Sequence, residues 1–60
     1  MDHRDIVQYA RSLYDAHGGR AEAEAARKAA AARASGNAGV AAQWDKIRAS
    51  ILELRSAVHG

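Results

Sequence analysis

Apolar residues near the start of the chain recur at the spacing of one helical face. Ile6, Ala10 and Leu13 follow one another at intervals of four and three residues, and Val7 flanks them. Residues spaced in this way lie on the same side of an α-helix. The pattern therefore predicts an amphipathic helix over about residues 3–17.

The last third of the chain carries a longer and more regular apolar pattern, in which large residues alternate at intervals of four and three. The six positions are Val40, Trp44, Ile47, Ile51, Leu54 and Val58. This a/d repeat is typical of coiled coils, where each apolar residue packs into a facing helix. We call these six residues the seam. It predicts a helix over about residues 38–58 that pairs with another helix along most of its length.

Between these segments lies a stretch of alanine and charged residues, about residues 20–35. Alanine has the highest helix propensity, so a helix is predicted here as well. Acidic residues open the stretch and basic residues follow, an order that suits the helix dipole. Glu24 and Lys28 are four residues apart, and this spacing predicts an ion pair on the helix surface.

Glycine pairs mark where these helices end. Gly18-Gly19 and Gly36-Asn37 separate the three segments, and both residue types tolerate the left-handed conformation that closes a helix. Asp2 is a residue type that caps a helix start. We therefore predict an all-α, alanine-rich single domain over residues 1–60 in an up-down-up arrangement, a helical hairpin plus one helix.

Two packing arrangements fit this prediction. In one, the bulky faces of the first and third helices lie against the alanine face of the second, and the longer third helix overhangs with Leu54 and Val58. In the other, the second and third helices form a hairpin while the first docks on a neighbouring subunit. The sequence does not separate them.

Composition limits how such a fold is stabilised. A chain of 60 residues buries only about 60% of its unfolded surface, which leaves little net stability. It contains no cysteine for disulfides or thiolate zinc sites, and alanine makes up much of its 48% hydrophobic content. We therefore expect oligomerisation, most simply a two-fold dimer, or docking on a larger protein to complete the fold.

The net charge of +2 comes from interspersed basic and acidic residues, which is typical of a soluble surface and not of a polyanion binder. The sequence has no apolar run of membrane-spanning length and no signal-peptide pattern at its start. We accordingly expect a cytoplasmic protein without a membrane partner. Arginine outnumbers lysine beside abundant alanine, which suggests a small bacterial protein from a GC-rich genome.

No residue pattern indicates catalysis. His3, His17 and His59 lack the i,i+4 spacing of a helical metal site, and the serines have no histidine in a triad-like arrangement. We therefore predict no catalytic, cofactor-binding or metal-binding residues, and no enzymatic activity.

Two functions remain open. The preferred hypothesis is a non-enzymatic protein–protein interaction or accessory module, which binds itself or a larger protein through the seam. The alternative is a small DNA-binding transcriptional regulator that uses the basic residues of the middle helix. These residues are Arg20, Arg27, Lys28 and Arg33. Glutamates in the first turn of that helix oppose the alternative, because recognition helices present their N-terminal residues to bases.

Overall fold

A computed structural model describes the backbone of residues 2–59 and the side chains of residues 2–56. These residues form three helices: α1 (His3–His17), α2 (Arg20–Ala34) and α3 (Ala38–His59). No strand occurs across residues 2–59. The all-α class is confirmed, and the helix bounds agree with the predicted ones to within one residue. None of the described helices combines the length and apolarity needed to cross a bilayer.

The ends of α1 are set by the residues that the sequence pointed to. The Oδ1 atom of Asp2 accepts a hydrogen bond from the backbone N–H of His3 at 2.9 Å, so the predicted cap is present. Gly18, with φ of 59°, ends the helix, and its N–H donates to the carbonyl of Tyr14 at 2.7 Å. This glycine, with its positive φ, lets α2 begin after a link of two residues.

The turn between α2 and α3 is a Schellman motif centred on Gly36. The N–H of Gly36 donates to the carbonyl of Arg33 at 3.0 Å, and the N–H of Asn37 donates to the carbonyl of Ala32 at 2.8 Å. Gly36 has φ of 76°, a conformation that is unfavourable for a residue with a Cβ atom. Both predicted glycine turns are therefore confirmed as helix ends.

The core consists of isoleucine side chains from α1 and α3 packed against alanines. The buried residues of the cluster are Ile6, Ala10, Ala21, Ala25, Ile47 and Ile51. Leu13, Tyr14 and Trp44 pack against its margin. Because α1 contributes buried residues to this cluster, α1 packs on its own chain and is not swung out.

The alignment of α2 and α3 follows from their ion pairs. Glu22, near the start of α2, contacts Arg55, near the end of α3. Arg33, near the end of α2, pairs with Asp45 in the first half of α3. These pairs join α2 to α3, and the two helices share the most extensive contact of the fold. The complete up-down-up order stays a prediction.

Burial of the seam can be tested with adjacent residues. Ile51 is fully buried, whereas Leu52 is 40% exposed. We expect Ile51→Ala to lower the free energy of unfolding by about 2–5 kcal/mol, and Ile51→Val by about 0.5–1.5 kcal/mol, because both leave a cavity. Leu52→Ala should cost less than about 1 kcal/mol. Urea denaturation followed by circular dichroism measures all three, and equal costs at both positions would contradict this core.

The two turn-region glycines Gly36 and Gly39 provide a second test, since neither has an atom within 4 Å of where a Cβ would stand. Gly36→Ala should destabilise the fold by about 1–2 kcal/mol because its φ is positive. Gly39→Ala should be neutral or stabilise by up to about 1 kcal/mol, because Gly39 lies inside α3. The midpoint temperature of thermal unfolding should therefore fall in Gly36→Ala, and it should stay unchanged or rise in Gly39→Ala.

Candidate interaction surface

The seam is not uniformly accessible along α3. Ile47 and Ile51 are buried in the core of the chain itself. Trp44 and Leu54 are half-buried, and Val40 is 39% exposed. The middle of the seam therefore stabilises the fold of one chain, and the most accessible of its described residues, Val40, lies at the start of α3.

The expected apolar overhang at the far end of α3 is only partly described. Leu54 is half-buried, and the side chain of Val58 lies outside the described residues. Among the described seam residues, Val40 is the exposed one. The reason is that α1 covers the middle of α3, where Ile6 and Ala10 join the core cluster.

The buried face of α3 is also wider than a coiled-coil seam. Ala41 is buried although it falls outside the a/d repeat. A helix that packs on two others needs a broader apolar face than one that packs on a single partner. The 4,3 spacing at Ile47 and Ile51 thus corresponds to packing against α1 and α2 of the same chain.

Residues from all three helices meet at Trp44. The ring of Tyr9, from α1, meets the Trp44 ring edge-on, with centroids 5.8 Å apart and an interplanar angle of 78°. The Nζ atom of Lys28, from α2, lies 5.5 Å from the centre of the Trp44 ring. Val40 precedes Trp44 by one helical turn and shares its side of α3. We call Tyr9, Val40 and Trp44 the Trp44 surface.

Tyr9 was not among the predicted site residues. It is 42% exposed, and it lies beside the face defined by Ile6 and Ala10 and not within it. Helical spacing alone gives no signal for such a residue. Its aromatic character was the available indication, because tyrosine often supplies contact area at the margin of a core.

The predicted pair between Glu24 and Lys28 is wrong. Glu24 instead contacts Arg27, with 3.7 Å between Oε1 and Nη2, while Lys28 lies over Trp44. A lysine side chain has an apolar stem and a cationic end, and an aromatic ring can contact both parts, whereas a carboxylate pairs with the cationic end alone.

The four basic residues proposed for DNA contact are engaged to different degrees. Arg33 pairs with Asp45, and Arg27 contacts Glu24 although its side chain remains 78% exposed. Lys28 is placed over Trp44, and Arg20 is exposed. The structure therefore does not bring the four together as one uncompensated basic face.

Glu22 joins α2 to α3 through two arginines. Its carboxylate accepts from Nη1 of Arg55 at 3.0 Å and from Nη2 of Arg48 at 3.4 Å, and its side chain is only 23% exposed. These partners lie 33 and 26 residues away in sequence. No local spacing could have identified them, because the contact depends on how far α2 is shifted along α3.

An open groove of about 350 Å³ lies between the start of α1 and the middle of α3. Its lining residues are His3, Ile6, Lys46, Ala49, Ser50 and Glu53. This volume is at the lower end of the range for small-molecule sites, about 300–1,000 Å³. Among the side chains of residues 2–56, no group of His, Cys, Asp or Glu is arranged to hold a metal ion. No polar or charged residue is buried in that part of the chain either.

The Glu22 contacts can be measured with a double-mutant cycle of Glu22→Gln and Arg55→Gln. Glu22 also interacts favourably with the helix dipole, and this interaction is lost both in Glu22→Gln and in the double variant. The cycle therefore cancels it and isolates the free energy of the ion pair. We expect a coupling free energy of about 0.2–1 kcal/mol, because the groups are partly exposed. The coupling should shrink in about 1 M salt, where screening acts within about 3 Å. Zero coupling at low salt would show that the pair does not form in solution.

Comparison with known proteins assigns this chain to no family. No protein-family model matches the sequence, and no curated protein or solved structure shows significant similarity to it.

Proposed function

We propose that this chain is a non-enzymatic helical interaction module that associates through the Trp44 surface, with a second copy of itself or with a larger protein. The observation that carries the proposal is the 39% exposure of Val40, next to a seam whose middle residues Ile47 and Ile51 are buried. Covering an apolar side chain of this kind removes it from water and favours association. The full seam is no longer proposed as the interface, because Ile47 and Ile51 serve the core of the chain itself.

The contacts around Trp44 support this choice of surface. Tyr9 and Lys28 contact the indole ring from two other helices, and such contacts reduce the side-chain freedom that is lost when a partner binds. Tryptophan and tyrosine are also enriched at the centres of protein interfaces, where a few residues supply most of the binding free energy.

The size of a typical interface indicates that residues beyond the Trp44 surface must contribute to binding. A specific interface covers about 800 Å² on each partner, which is roughly a fifth of the 4149 Å² accessible surface of this chain. Three side chains cannot supply that area. The exposed turn at residues 35–39, next to Val40, supplies the rim in this proposal.

The proposal includes the finer features that the sequence suggested. The three helices run up, down and up, and a two-fold homodimer in the cytoplasm is the simplest assembly. In such a dimer the same surface contacts its own copy, so one substitution changes both sides of the interface.

Val40→Asp is the most direct test of the surface. Val40 is in the first turn of α3, which contains no acidic residue, so an aspartate there suits the helix dipole and should leave the fold intact. We expect the solution mass of the unmodified chain to rise with concentration over the micromolar to millimolar range. The Val40→Asp chain should remain monomeric throughout. Light scattering measures both.

Leu52→Asp is the matched control. Leu52 and Val40 are almost equally exposed, at 40% and 39%, and both lie on α3, but Leu52 is not part of the seam. Leu52→Asp should associate like the unmodified chain. Ile51→Asp is unsuitable as a test, because a charge at a fully buried position unfolds the chain and abolishes any assembly. Self-association that survives in Val40→Asp would overturn the proposed surface.

A larger protein partner is the other outcome of the proposal. If the unmodified chain is monomeric at all concentrations, self-association is wrong. A pull-down from cell lysate then compares three baits, which are the unmodified chain, Val40→Asp and Leu52→Asp. A protein retained by the first and third baits but lost with the second supports the Trp44 surface. Equal retention by all three contradicts it.

The DNA-binding alternative rests on the exposed basic residues of α2, which are Arg20, Arg27, Lys28 and Arg33. It predicts duplex binding that weakens steeply with salt, because cations that neutralise phosphates release counter-ions. Since Glu24 accompanies Arg27 and Lys28 is held over Trp44, we expect no measurable binding to a mixed-sequence duplex at about 50 mM salt. Fluorescence anisotropy of a labelled duplex measures it. Binding that is lost in Arg20→Gln plus Arg27→Gln, and retained in Arg4→Gln plus Arg11→Gln, would favour the alternative.

A further inference from the structure

We draw no further inference here: the strongest candidate, the open groove between the start of α1 and the middle of α3, has an apolar floor of Ile6 and Ala49, and nothing in the structure shows what covers it.

Discussion

The alanine face of α2 sets how closely the other helices can approach. Ala21 and Ala25 are fully buried, and Ala29 nearly so, so little more than a methyl group separates the backbone of α2 from its neighbours. Isoleucines from α1 and α3 fill the space that remains. Because alanine contributes little apolar area, a few isoleucines provide most of the hydrophobic stabilisation. The turns and ion pairs align the helices so that these few isoleucines pack against the alanine face of α2.

The same constraint links the fold to the candidate surface. α3 has 22 residues and α1 has 15, and α1 contributes to the core at the level of Ile47 and Ile51. Val40, in the first turn of α3, lies outside this cluster and stays partly in water, although Ala41 beside it is buried. Tyr9 and Lys28 give Trp44 a defined position beside it. The aromatic and cation–π contacts around Trp44 distinguish this end of α3 from exposed apolar residues such as Val7 and Leu52.

Local features of the sequence were sufficient for the helices and their ends. Glycines at positive φ and the Asp2 cap act through their own backbone, so they can be recognised without knowing the tertiary structure. The spacing of Ile47 and Ile51 likewise indicated that they share a buried face. It could not indicate what covers that face, because an a/d repeat has the same form whether the facing helix belongs to the same chain or to another.

Contacts between distant segments could not be predicted in this way. Glu22 meets Arg48 and Arg55 because of the register between α2 and α3, which follows from how the two helices pack against each other. Lys28 was expected to pair with Glu24 on one helix, yet its cation lies over an aromatic ring from another helix. Helical spacing indicates which residues are neighbours on one helix. A stronger contact with another helix can replace the expected pair between such neighbours.

Trp44 has a further consequence, because it is the only tryptophan of the chain. The emission of an indole ring responds to the polarity and the groups around it, and this ring contacts Tyr9 of α1 and Lys28 of α2. A single unlabelled chromophore thus reports on the assembly of all three helices at once. The protein carries its own optical probe at the junction where its helices meet.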